Sequence, residues 1–253
     1  MSVAGRTVLV TGAGKGIGVE YAVAFAAAGA KVVAADIVDP VETVERVRAA
    51  GGEATGLVMD VTKAEDAERA VRVAVDLYGG LDILINNAAF YGGLSLAPFD
   101  EISERDWDRS MNVNVKGVWL LCRAAAPVMR AAGWGRIVNI SSNVIFMGKQ
   151  DFLHYVASKG AVWALTNALS RELAGTGITV NCIAPGYTIT AATREMGSPD
   201  QVAELERRII DAQSVKRLLE PTDIVGAALY LASDGAGMVT GQTIVVDGGV
   251  IVG

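Results

Sequence analysis

Short runs of apolar residues recur along the chain, separated by longer stretches whose apolar positions fall at helical spacing. Thr7 to Val10 (TVLV) reads as a short buried strand. Lys31 to Ala35 (KVVAA), Thr55 to Met59, Leu81 to Ile85 (LDILI), Arg136 to Ile140, Ile178 to Ile183 (ITVNCI) and Gly241 to Val246 (GQTIVV) read the same way. Strands without polar alternation belong in sheets covered on both faces, as parallel sheets are. Between them the pattern predicts an Ala-rich helix through Ala28 and a helix over Val41–Ala50 ended by Gly51-Gly52. Further helices are predicted around Trp107 to Met129, from Tyr155 onward, and from Pro221 through Ala232. Thr62 followed by Glu65 predicts a helix N-cap with a capping box. Strand and helix alternate throughout, and no Pro/Gly/Ser-rich linker interrupts them. One α/β domain over residues 1–253 is the expectation.

Composition sharpens this in a few places. Hydrophobic residues make up 51% of the 253, enough for a large core, and 29 glycines suit many tight strand-to-helix turns. A net charge of −6 without a basic block argues against nucleic acid as a partner. No apolar run is long enough for a membrane span. The N-terminus enters a strand almost at once, which leaves no room for a signal peptide. Cys122 and Cys182 sit in apolar runs and read as reduced, buried thiols, with no spacing that suggests a metal. A cytoplasmic protein without metal is expected.

The first strand runs into Thr11-Gly12-Ala13-Gly14-Lys15-Gly16-Ile17-Gly18 and then a helix. Such a turn presents free N–H groups and the positive end of the helix dipole to a phosphate. Ile17 breaks the strict G-x-G-x-x-G fingerprint; the spacing is Gly12, Gly16, Gly18. Asp36 ends the second strand, close to the spacing at which an acid meets the adenosine ribose. Its charge favours NAD and opposes the 2′-phosphate of NADP. Lys15 is the dissenting cation. Asp60 and Val61 close the third strand, where an acid could accept from the adenine amino group with Val61 against the ring. Asn86-Asn87-Ala88-Ala89 close the fourth; Asn side chains there can hold the crossing chain, and Ala88 allows close approach.

Ser142 to Lys159 (SNVIFMGKQDFLHYVASK) carries the reactive groups. Tyr155 and Lys159 are four apart and share one helix face. An ammonium beside a phenol lowers the phenol's pKa, and a phenol so tuned can exchange a proton with a carbonyl or alcohol oxygen. Ser142, at a strand end, can reach the same oxygen. Asn114, inside a helix, is either a solvated residue or one that organises water. Thr188 and Thr190 beside Pro185-Gly186 read from the residues as turn formers. His154 precedes Tyr155 but faces elsewhere on a helix.

In this order and spacing, TGAGKGIG, Asp36, Asp60-Val61, NNAA, Asn114, Ser142 and YVASK resemble the short-chain dehydrogenase/reductase family over essentially the whole chain. The family's usual NNAG is NNAA here, with Ala89 before Phe90. The resemblance implies a Rossmann-like, doubly wound seven-stranded parallel sheet, a catalytic set of Asn114, Ser142, Tyr155 and Lys159, and a homotetramer. It places cofactor contacts at Gly12, Lys15, Gly16, Ile17, Gly18, Asp36, Ile37, Asp60, Val61, Asn87, Ala88, Ala89, Tyr155, Lys159, Pro185, Gly186, Thr188 and Thr190. Asn114 would hold a water linking Lys159 to solvent, and residues 188–217 would form a lid. The substrate pocket is expected along Phe90–Leu96, Asn143–Leu153 and the lid, with Ser142, Asn143, Val144, Phe152 and Tyr155 in contact. The expected reaction is NAD-dependent hydride exchange with a small to medium, apolar or aromatic secondary alcohol or ketone. An NADPH-dependent ketoacyl-thioester reductase and a non-catalytic NAD sensor or scaffold are the alternatives.

Overall fold

The computed structural model describes residues 2–94, 96–195 and 197–252. Ser95, in the expected pocket lining, and Met196, in the expected lid, lie outside the described residues, as do Met1 and Gly253. The first half comprises β1 (Thr7–Thr11), α1 (Ile17–Ala27), β2 (Lys31–Asp36), α2 (Val41–Ala49), β3 (Glu53–Val58), α3 (Ala64–Tyr78) and β4 (Ile83–Asn86). There follow α4 (Glu104–Met111), a π-helical turn (Asn112–Lys116), α5 (Gly117–Ala132), β5 (Gly135–Ile140), α6 (Val144–Met147), α7 (Leu153–Glu172) and β6 (Ile178–Pro185). The chain ends with α8 (Ala191–Arg194), α9 (Pro199–Ala212), α10 (Pro221–Leu231) and β7 (Thr243–Val246).

The strands form the expected seven-stranded parallel sheet, in the order β3-β2-β1-β4-β5-β6-β7. β1, β4, β5 and β6 are buried at every position, which is why they read as mainly apolar runs without polar alternation. β3 is an edge strand in which only Ala54 is buried and the other positions are partly or fully exposed. Its polar first residue, Glu53, pairs with Lys31, so the strand starts two residues before its apolar pattern does.

Each face of the sheet carries its own core. On one, Tyr21, Ala22 and Phe25 of α1 meet Ile224, Ala228 and Leu231 of α10 over Val8, Val10 and Val32. On the other, Ala67, Ala70 and Ala74 of α3 meet Val118, Leu121 and Ala125 of α5 and Val162 of α7 over Leu9, Val33 and Leu84. Strand order reverses between β1 and β4. The crevice at the carboxyl ends of those strands is where open α/β sheets take ligands.

Two local expectations are corrected. Thr62 does not cap α3. Its N–H and hydroxyl both donate to Asp60 Oδ1, at 2.9 and 2.8 Å, so Asp60 captures it in a turn and the helix starts at Ala64. The single helix expected around Trp107–Met129 is broken by the π turn, which brings Asn114 into the interior. Such single-turn insertions recur at functional sites.

Candidate active site

The nucleotide turn is built by close approach. A Cβ on Gly12 would stand 2.8 Å from Ala88 Cα, and one on Gly14 2.9 Å from the Asp36 carboxyl carbon. A Cβ on Gly18 would collide with the Gly12 carbonyl oxygen. Gly16, at φ +62°, precedes α1, and no side chain caps that helix, so its first N–H groups are left for an anion. Thr11 and Asn87 stitch β1 to β4. Thr11 Oγ1 accepts from the N–H groups of Asn87 and Ala88, both at 3.1 Å, and Asn87 Nδ2 donates to the carbonyls of Thr11 and Gly12 at 2.9 and 3.2 Å. Asn87 therefore shapes the turn with its amide. Asp36 Oδ2 accepts from Gly14 N–H at 2.8 Å, which ties the acid to the turn, while Ile37 and Lys15 stay exposed beside it. Asp60 and Val61 are half-buried, and Gly117 of α5 packs on Val61.

α7 and the end of β5 bring Ser142, Tyr155 and Lys159 together. Lys159 is buried; its Nζ donates to the Ile140 carbonyl at 2.8 Å and stands 5.6 Å from the Tyr155 ring centroid. Ser141 Oγ donates to the Lys159 carbonyl at 2.8 Å, which fixes α7 against β5. The Tyr155 ring is stacked on Phe152 at 4.7 Å and meets Tyr91 edge-on at 5.2 Å. The expectation that Lys159 lowers the phenol's pKa is corrected here. Burial dominates and raises the Tyr155 pKa, Tyr91 adds to the rise, and the Ser142 hydroxyl pulls the other way. Burial also pushes Lys159 down to about 8.

Asn114 sits in the π turn with its side chain engaged. Oδ1 accepts from Phe90 N–H at 2.7 Å, and Nδ2 donates to Ser158 Oγ at 2.9 Å. This clamps the stretch after β4 to the residue before Lys159. Asn114→Ala orphans the buried Phe90 N–H and is expected to cost about 2 kcal/mol of stability, read as a lower denaturation midpoint.

At the far wall, Thr190 caps α8 by accepting from Thr193 N–H at 3.2 Å, and a Cβ on Gly16 would lie 3.6 Å from its methyl. Thr188 Oγ1 donates back to the Gly186 carbonyl at 3.1 Å. Both hydroxyls form turns, and Thr190 does so against the phosphate turn. Pro185 accepts from Asn143 N–H at 2.9 Å, and Gly186 packs on Asp247. Asn143, expected in the pocket, is buried and donates to Asp247 Oδ2 at 3.2 Å. Val144 and Phe152 cluster with Tyr155, and Tyr91, Leu94 and Val156 pack against them. His154 is buried, with no hydrogen-bond partner for either ring nitrogen among the described residues. Sequence reasoning gave no role to Thr11, Tyr91, Ser158 or Asp247, although Thr11 and Ser158 lie within TGAGKGIG and YVASK and Tyr91 within the expected pocket stretch.

A glycine turn opening α1, an acid at the end of β2 and a Ser-Tyr-Lys group at the same crevice define a dinucleotide-dependent oxidoreductase. A family model described as Enoyl-(Acyl carrier protein) reductase matches residues 12–251. The 2-dehydro-3-deoxy-D-gluconate 5-dehydrogenase of Escherichia coli (strain K12) is 37% identical over 249 residues, covering 98% of this chain and 96% of its own. A crystal structure from Beutenbergia cavernae, provisionally assigned as an NAD(P)-dependent gluconate 5-dehydrogenase with NADP at low occupancy, is 40% identical with a TM-score of 0.90 and covers 98% of both chains. One from Agrobacterium tumefaciens, provisionally assigned as a 2-deoxy-D-gluconate 3-dehydrogenase with bound NADP, is 38% identical with a TM-score of 0.89, covering 98% of this chain and 97% of its own. The chain belongs to the short-chain dehydrogenase/reductase family, and is an NAD(P)-dependent oxidoreductase acting on an alcohol or ketone. No described helix is long and apolar enough to cross a membrane.

Proposed function

We propose that the chain interconverts a secondary alcohol and its ketone with NAD(H). The observation that carries this reading is the convergence of Ser142, Tyr155 and Lys159 on the crevice that the glycine turn and Asp36 line. The residues fit a dinucleotide. Gly12, Gly16 and Gly18 allow the tight turn whose N–H groups take the pyrophosphate, Asp36 takes the ribose hydroxyls, and Ile37, Asp60 and Val61 flank the adenine. The nicotinamide end falls to Ala88, Ala89, Pro185, Gly186, Thr188, Thr190 and Lys159. When bound, the nicotinamide accepts or gives the hydride.

The chain's own groups handle the proton. Tyr155 Oη takes it from the substrate hydroxyl in oxidation and returns it in reduction. Ser142 Oγ holds the same oxygen and stabilises developing charge. Lys159 Nζ supports the ionised phenol, and its proton passes outward by water. The amide of Asn114 is occupied by Phe90 and Ser158, so the relay water belongs on its main-chain carbonyl. α9 buries none of its described residues fully, which suits a lid that opens at low cost.

NAD is the preferred cofactor. Asp36 is followed by Ile37, Val38 and Asp39, so no cation follows it along the chain to take a 2′-phosphate, and the exposed Lys15 of the glycine turn is the one dissenting charge. The NADP in the two crystal structures is the opposing finding. Like-charge contact predicts about a hundredfold preference for NADH over NADPH in kcat/KM. Asp36→Asn, which keeps an acceptor for Gly14 N–H, is expected to shrink it to within about tenfold; an unchanged ratio would refute the role of Asp36.

The wall of Tyr91, Leu94, Val144, Phe152 and Val156 supports a small to medium carbon skeleton with apolar faces. The names of the relatives favour a second reading, a sugar acid. The reaction is tested by following reduced-nicotinamide absorbance with 1-phenylethanol, cyclohexanol, 3-hydroxybutanoate, gluconate and related sugar acids. A homotetramer completes the reading. α5 and α7 leave Trp119 and Trp163 more than two-fifths exposed, apolar area that subunit contact would cover.

A further inference from the structure

The loop between α6 and α7 holds a cation that the proton transfer does not use. Lys149 Nζ stands 4.9 Å from the centroid of the Phe152 ring, and Phe152 stacks directly on Tyr155. The side chain is half-buried. Among the described residues it joins no ion pair; even Asp151, two positions on, does not reach it. Burial lowers its pKa, as expected of an ammonium drawn out of water without a counter-charge.

The backbone holds it there. Gly148 lies at φ +67°, and Asp151, at φ +62°, is the one non-glycine residue with positive φ among the described residues. Strain of this kind persists where surroundings enforce it and gathers at ligand-binding loops. Here the Asp151 carbonyl accepts from Ala97 N–H at 3.1 Å, pinning the loop to the segment that follows β4 and carries Tyr91.

The geometry points to Lys149 as a specificity-determining residue that holds a carboxylate of the substrate, so that the substrate is a hydroxy acid whose alcohol carbon is presented to Tyr155. This rests on the dehydrogenase reading above and adds the substrate class. A single lysine suits a monoanionic carboxylate. A phosphate ester calls for a second cation or an arginine fork, and Lys149 has neither on its loop. Phe152 is buried beneath Tyr155 and links it to the ammonium, and half-buried Tyr91, edge-on to both rings, supplies an apolar face beside the phenol. The distances to and across Phe152 are short enough for an acid of a few carbons to bridge.

The test compares 3-hydroxybutanoate and gluconate with their methyl esters, on the wild-type enzyme, Lys149→Gln and Lys149→Arg. Wild type is expected to favour each acid over its ester in kcat/KM. Lys149→Gln should raise KM for the acids about ten- to a hundredfold, with kcat within about twofold, and leave the esters unmoved. Lys149→Arg should restore most of the loss. A Lys149→Gln variant that shifts acids and esters together, or neither, overturns the assignment. Should that variant fail to bind NADH, the wild-type preference and the Arg variant decide: equal kcat/KM for acid and ester overturns it. Turnover of neutral alcohols with no acid accepted overturns Lys149 alone. A wild type that turns over neither acids, esters nor neutral alcohols overturns the dehydrogenase reading itself.

Discussion

Tyr155→Phe is expected to lower kcat by about a thousandfold or more while leaving NADH affinity nearly unchanged. The variant keeps the ring, and with it the stacking on Phe152 and the edge contact with Tyr91. What it removes is the hydroxyl that exchanges the proton, a contribution of about 10²–10⁴-fold in general acid–base catalysis. Steady-state rates and an NADH fluorescence titration separate the two effects. The same phenol sets a pH dependence. Burial holds its proton on above the ordinary phenol range, so at neutral pH the group is a ready acid and a reluctant base. Raising the pH strips protons from the Tyr155–Lys159 pair. Alcohol oxidation should therefore speed up with pH, and ketone reduction should slow as pH climbs through about 8, where Lys159 loses its charge. Parallel pH–rate profiles in the two directions check the sign.

Gly18→Ala should be the most damaging conservative change in the nucleotide turn. The added methyl would collide with the Gly12 carbonyl oxygen and come within 2.8 Å of Asn87 Nδ2, two atoms bonded to each other. The turn would have to open and the β1–β4 stitch with it. Overpacking of this kind costs up to about 3 kcal/mol, or roughly a 10 °C fall in Tm for a domain of this size. Dinucleotide affinity should fall at least about tenfold, since the N–H groups at the start of α1 move with the turn. Gly226→Ala is the control. It lies in α10, its Cβ would meet nothing within 4 Å, and helix propensity predicts a gain of up to about 1 kcal/mol. Thermal melts and NADH titration of both variants make the comparison.

The parts legible in advance share one property: a local pattern reports them. The fully buried strands appear as apolar runs because both faces are covered, and the phosphate turn because only glycine fits its close approaches. Tyr155 and Lys159 announce themselves by helical spacing. The parts that were not legible depend on partners distant in sequence. Thr62 has the chemistry of a cap, and only the fold shows Asp60 taking it first. Asn143 looks like a pocket residue until β7 brings Asp247 to it. The sign of the Tyr155 shift depended on how deeply Phe152, Tyr91 and their aliphatic neighbours bury it, which no spacing reveals. The Lys149 loop is of the same kind, since its conformation is set by a bond to Ala97 in another connection.

A crystal structure of the enzyme with NAD and a slow alcohol or ketone analogue tests the central claim most directly. The Tyr155 hydroxyl is predicted to face the nicotinamide ring, within hydrogen-bond distance of the analogue's oxygen, with Ser142 on that oxygen and the Lys159 ammonium on the adjoining ribose. A dinucleotide seated elsewhere, or a Tyr155 hydroxyl turned away from the ring, would contradict it.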